Sequence, residues 1–231
     1  MNSKTQIFFD LDRTLWDFEQ NSFAELMSLY EKHQLKEKGI LDASEFIKKY
    51  KEINEECWAL YRVNKISKEE LRGKRFYDAL VYFGVDNKKL GEDIGEDYIA
   101  NCPFRTQLFP DTIKMLEYLS DKYELHIITN GFEEVQHIKL RESGLTPFFD
   151  KIITSEQVNV KKPDPKIFDF ALSEANCKAE NAVYIGDDYL VDIEGAERCG
   201  WKAIYFNPNN LTDNTSGATD IQNLMELTEL Y

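Results

Sequence analysis

Four short segments carry residue types suited to one chemistry, and they fall in order along this 231-residue chain. They are Asp10-Leu11-Asp12-Arg13-Thr14, Thr129-Asn130-Gly131, Lys162-Pro163-Asp164-Pro165, and Gly186-Asp187-Asp188 with Asp192 just beyond. Together they offer two carboxylates two positions apart, a hydroxyl, a lysine and a further acidic cluster. A carboxylate can attack phosphorus and split one hydrolysis into two easier steps. A hydroxyl, a lysine and a cation held by the acidic cluster can offset the charge that develops. Phosphoryl transfer through an aspartyl-phosphate uses the whole set, and few other chemistries do.

The elements that must position these residues are legible in the apolar pattern. Short runs at Gln6–Phe9, Leu125–Ile128, Lys151–Thr154, Ala182–Ile185 and Lys202–Phe206 are rich in Ile, Val, Phe or Tyr. They are too short for helices and read as buried strands of a parallel sheet. Helical stretches lie between the later ones, such as Ile113, Leu116 and Leu119 on one face. Strands alternating with helices predict an α/β fold, a Rossmann-like doubly wound sheet. At least three motifs directly follow a strand, and strand ends of such sheets converge on one crevice.

Residues 16–103 break the alternation. Ser22 with Glu25, and Ser67 with Glu70, have capping-box spacing. Phe46, Tyr50, Ile53, Cys57 and Leu60 step by four and three, and Leu71, Phe76, Ala79, Leu80 and Phe83 follow the same rule, with Gly84 as a stop. Gly91 and Gly95 weaken a fourth helix near 88–100. The expected organisation is a helical-bundle cap at 16–103 inserted into a core made of 1–15 and 104–231. Lys65, Lys68, Arg72, Lys74 and Arg75 form a basic run that reads as a solvated helix face. The polar stretch 207–220 reads as a loop.

Bulk composition narrows the partners. Forty-two acidic residues against 28 basic give a net charge of −14. The resulting field disfavours nucleic-acid polymers and anionic membranes but leaves room for a small phosphate ester. The four cysteines, Cys57, Cys102, Cys177 and Cys199, lie far apart and suggest neither a zinc site nor a disulfide framework. No apolar stretch approaches membrane-spanning length. Met1 runs almost directly into Ile7-Phe8-Phe9, which leaves no room for a secretory signal, so a cytoplasmic protein is expected, monomeric or weakly homo-oligomeric.

The four motifs, their order and a helical insertion after the first resemble the haloacid-dehalogenase-like hydrolase superfamily over the whole chain. The Lys162-Pro163-Asp164-Pro165-Lys166-Ile167-Phe168 segment and the cap length look most like the branch of pyrimidine 5'-nucleotidases and small-phosphate phosphatases. Many members carry glycine where this chain has Arg13, a position expected to need a backbone amide more than a side chain. Haloacid dehalogenases proper lack the second carboxylate that this chain has at Asp12.

The resemblance implies a Mg²⁺-dependent phosphatase acting on a small phosphate monoester, such as a nucleoside 5'-monophosphate. Asp10 would be the nucleophile, and Asp12 would give and take the proton. Asp10, Asp187 and the Asp12 carbonyl would hold Mg²⁺, with Asp188 and Asp192 orienting ligands behind them. Thr129 and the Asn130 backbone N–H would bind phosphate oxygens. Lys162 would neutralise charge; the family lysine directly precedes the proline, which selects it over Lys161. In the cap, Trp58 and Arg62 are candidates for selecting the leaving group, while Trp16 and Phe18 could line the entrance. The alternatives are a dehalogenase or phosphomutase on the same scaffold, or a phospho-aspartate signalling module.

Overall fold

The computed structural model describes residues 5–211 and 217–231. Its contacts divide the chain into two compact units, residues 1–18 with 106–231, and residues 19–105.

The first unit is built on a six-stranded sheet in the order β3-β2-β1-β4-β5-β6. Its strands are β1 (Gln6–Phe9), β2 (Glu124–Thr129), β3 (Lys151–Thr154), β4 (Ala182–Gly186), β5 (Lys202–Phe206) and β6 (Thr219–Ile221). Every neighbouring pair is parallel. Ile7, Phe8 and Phe9 of β1 are wholly buried, as a strand covered on both faces requires. The sixth strand is a correction to the loop expected at 207–220, of which residues 212–216 lie outside the described residues. One face of the sheet packs Phe8, Phe168, Tyr184 and Trp201 together, with rings crossing at steep angles.

The helices are α1 (Phe18–Lys32), α2 (Ala43–Arg62), α3 (Lys68–Tyr82), α4 (Lys88–Asn101), α5 (Thr112–Ser120), α6 (Glu133–Glu142), α7 (Ser155–Val158), α8 (Pro165–Glu174), α9 (Glu194–Arg198) and α10 (Leu227–Leu230). The helices α1 to α4 make up the second unit, apart from Phe18. Ser67 and Glu70 form the expected capping box on α3. Ser22 and Glu25 do not: α1 starts at Phe18, so both lie inside it. There Ser22 Oγ accepts from the Tyr98 hydroxyl at 2.9 Å, and Glu25 pairs with Arg105 at 3.0 Å.

Gly91 and Gly95 strengthen α4 rather than interrupt it. A Cβ on Gly91 would stand 2.8 Å from the Tyr77 backbone, and one on Gly95 2.6 Å from the Arg72 carbonyl oxygen. Bare backbone on α4 lets α3 approach, and that contact outweighs the poor helix propensity of glycine. Arg75 departs from the solvated basic face. It is buried, donates to Asn54 Oδ1 at 2.8 Å and faces the Tyr98 and Phe76 rings at 5.0 and 5.2 Å.

His126 of β2 gives the sheet a pH dependence. Its ring is buried against Phe8, and Nε2 pairs with Gln6 Oε1 at 2.9 Å. Nδ1 has no partner among the described residues. Burial pushes the pKa down to about 4, and the weaker effects of Asp150 and Lys151 oppose each other. Between roughly pH 6.5 and 4 the unfolded chain binds a proton that the folded one refuses, so the His126 contribution is complete above 6.5 and erodes as pH falls, by at most about 1.4 kcal/mol per unit. Chemical denaturation across this window should therefore show a shallower loss for His126→Gln than for the wild type. Equal slopes would exclude His126 as the cause.

Candidate active site

The carboxyl ends of β1, β2 and β4 bring three motifs together. The chain leaves β1 for β2 on one side, and β4 lies on the other, so a crevice opens where the strand order reverses. The Asp10 N–H donates to the Ile185 carbonyl at 2.8 Å, which carries the pairing with β4 one residue past β1. The next residues fold into a tight loop in which the Thr14, Leu15 and Trp16 amides all point to the Leu11 carbonyl. Arg13 sits in the left-handed region at φ 65°. That conformation costs a non-glycine residue about 1–2 kcal/mol. The Arg13 amide donates to the Trp16 carbonyl at 2.9 Å and so closes the turn, a role played by the backbone and not by the side chain. Trp16 is wholly buried rather than lining an entrance.

Lys162 is the hub. Its Nζ lies 2.6 Å from Asp10 Oδ1, 2.7 Å from Asp192 Oδ1 and 2.7 Å from the Tyr184 hydroxyl. Three partners use all three ammonium donors. The Tyr184 hydroxyl in turn donates to the Ile128 carbonyl at 3.0 Å. Burial alone would lower the Lys162 pKa, yet Asp10 and Asp192 raise it well above the ordinary lysine range. The backbone of Lys162 is strapped by the Asn130 side chain: Oδ1 accepts from Lys162 N–H at 2.8 Å, and Nδ2 donates to its carbonyl at 3.0 Å. The Asn130 side chain thus sets the lysine's place, a role distinct from the backbone role suggested by the motif.

One carboxylate oxygen from each of Asp10, Asp187 and Asp192 lies within 4.8 Å of the other two. Burial raises the Asp10 pKa to about 7; Lys162 opposes this and Asp192 adds to it. Burial, then Asp10 and Asp192, push Asp187 well above the carboxylate range, and burial also raises Asp192. Three converging carboxylates with one lysine are short of positive charge. All-oxygen donors of this kind match a hard divalent cation such as Mg²⁺. Asp188 instead caps the π-helical turn Tyr189–Ile193, accepting from the Leu190 and Val191 amides. Gly186 is dictated by the same knot: a Cβ there would meet Asp192 Oδ2 at 2.4 Å.

Asp12 points to α6. Its Oδ2 accepts from Gln136 Nε2 at 2.7 Å, and its Oδ1 lies 2.5 Å from Lys139 Nζ. Gln136 Nε2 also reaches Thr129 Oγ1 at 2.6 Å. The four motifs do not single out Gln136 and Lys139. A signal was present: both are polar positions one turn apart on the α6 face that buries Val135 and Leu140. Trp58 and Arg62 lie one turn apart on α2, both half-buried, and Trp58 stands edge-on to the buried Tyr61 at 5.5 Å.

A parallel sheet with carboxylates at its switch point and a helical insertion after β1 defines a hydrolase class. The chain belongs to the haloacid dehalogenase-like hydrolases, whose family model matches residues 7–206. It is 31% identical to the pyrimidine 5'-nucleotidase PynA of Streptococcus pneumoniae, across 90% of this chain and 86% of that protein. It is 30% identical to the pyrimidine 5'-nucleotidase YjjG of Escherichia coli, across 88% of this chain and 86% of that protein. The HAD-hydrolase YfnB of Bacillus subtilis, solved bound to magnesium, superposes with a TM-score of 0.87 at 27% identity, covering 99% of both chains.

Proposed function

We propose that the protein is a Mg²⁺-dependent phosphatase of small phosphate monoesters, with pyrimidine nucleoside 5'-monophosphates as the favoured class. The observation that carries this reading is Asp12: a second carboxylate two residues beyond Asp10, held by two hydrogen-bond donors at the same sheet edge. Attack on carbon would not need it. The names of the two nucleotidase relatives support the substrate class.

Asp10 attacks phosphorus, and the bond to the leaving oxygen breaks as the Asp10–phosphorus bond forms. Asp12 gives that oxygen its proton, then takes one from the water that cleaves the aspartyl-phosphate. Thr129 Oγ1 already accepts from the Gly131 amide at 3.0 Å and from Gln136 at 2.6 Å, so its own hydrogen is left to donate to a phosphate oxygen. Lys162 keeps Asp10 aimed and offsets the growing charge. Asp10, Asp187 and the Asp12 carbonyl would hold Mg²⁺, which supplies positive charge at the transferring phosphoryl group. Asp192 holds Lys162, and its Oδ2 accepts from the Asp188 amide at 3.2 Å. Leaving-group selection is assigned to Trp58 and Arg62, an indole that can stack on a base and a guanidinium that can meet a carbonyl.

The test is a screen of phosphate esters and 2-haloacids with and without Mg²⁺. Turnover of nucleoside monophosphates that stops in excess chelator and returns with Mg²⁺ is expected. In Trp58→Ala or Arg62→Ala the ranking of the esters should change. Full activity in chelator removes the metal from the reading, and halide release without phosphate release replaces the phosphatase with a dehalogenase.

A further inference from the structure

We infer that Lys139 and Gln136 are positioning residues that hold Asp12 in place to protonate the leaving group, an assignment that rests on the phosphatase reading above. The geometry is that of a clamp. Lys139 Nζ and Gln136 Nε2 each take one carboxylate oxygen of Asp12, at 2.5 and 2.7 Å. With both oxygens fixed, neither rotation nor tilt of the carboxyl group is free.

Both partners are themselves held. Lys139 is buried, and its Nζ lies 4.1 Å from the centroid of the wholly buried Trp16 ring. An ammonium against an indole face is a favourable and directional contact. Gln136 is wholly buried and fills the space a side chain on Gly131 would need: a Cβ there would stand 2.1 Å from Gln136 Nε2. The glycine of the second motif is therefore the seat of the clamp.

Two features argue against mere packing. Lys139 carries a buried charge whose acidic partner is Asp12, a side chain 26% exposed at the reaction edge. A buried ion pair of this kind is a poor route to stability, because desolvation offsets the attraction. Gln136 Oε1 has no hydrogen-bond partner among the described residues. A buried acceptor left unmet is destabilising, and this one is left so while the amide donates to Asp12 and Thr129.

A clamp on the proton donor has a signature that a structural role lacks. An alkyl phosphate needs a proton as its P–O bond breaks, whereas nitrophenolate leaves without one. The experiment compares kcat/KM for a nucleoside 5'-monophosphate and for p-nitrophenyl phosphate in Asp12→Asn, Lys139→Met, Gln136→Met and the Asp12→Asn/Lys139→Met pair, with folding checked by thermal melt. Because two clamp variants are made, one folded variant is enough. Lys139→Met or Gln136→Met should lose roughly 10–100-fold more on the nucleotide than on the aryl ester, a part of the roughly 10²–10⁴-fold that a general acid supplies. The double variant should be no worse than Asp12→Asn alone, since coupled residues are not additive. Equal losses on both esters, or additive losses in the double variant, overturn the clamp while the phosphatase reading stands. A wild type inactive on both esters with Mg²⁺ overturns the reading itself, and the clamp with it.

Discussion

Asp10→Asn should leave a folded protein whose turnover of phosphate esters has fallen by at least about 10⁴-fold, the scale of losing a covalent nucleophile. A carboxamide oxygen is a poor nucleophile, so the first bond to phosphorus does not form. The fold should survive for a local reason. Lys162 loses the charge of one partner at 2.6 Å but keeps Asp192 and Tyr184, both at 2.7 Å. Removing one of three converging carboxylates also relieves repulsion in a buried place. Steady-state rates on freshly purified protein, with the mass verified, make the test, because deamidation of the new asparagine regenerates the nucleophile. Wild-type rates in a mass-verified variant would remove Asp10 from the mechanism.

Lys162→Met should damage both chemistry and stability. Losing one preorganised charge at a phosphoryl group costs roughly 10²–10³-fold in kcat. The stability loss has a separate cause. Asp10 and Asp192 stay buried without the cation between them, and breaking a buried pair costs about 3–5 kcal/mol. At about 2–4 °C per kcal/mol for a chain of this size, the melting temperature should fall by on the order of 10 °C. Lys161→Ala is the control and should stay near the wild type in both respects. If Lys161→Ala carries the losses and Lys162→Met does not, the motif has been assigned one residue too late.

Much of this was readable before any coordinates. The strands at Gln6–Phe9, Lys151–Thr154 and Lys202–Phe206 are bounded as their apolar runs suggest, because a strand buried on both faces leaves an uninterrupted apolar run. The capping box at Ser67 is equally local, since its partner stands three residues away. Where a stronger partner lay far off, the local pattern misled. Ser22 and Glu25 have capping-box spacing, yet they serve Tyr98 and Arg105, some eighty positions on. Gly91 and Gly95 look like flaws in a helix until α3 is placed against them.

By itself, the sequence determined which reactive groups exist and which strands carry them, because residue type and apolar period are properties of short segments. Only the tertiary structure decided what holds those groups. Tyr184 reads as one more aromatic in a strand, yet it is a ligand of Lys162. Asn130 reads as the middle of a turn, yet it straps a backbone 32 positions away. Gln136 and Lys139 read as the polar side of a helix, yet both close on Asp12, more than 120 positions earlier. A hydrogen bond is satisfied by distance in space, to which separation along the chain is no guide. Buried polar groups must find such partners wherever the packing brings them.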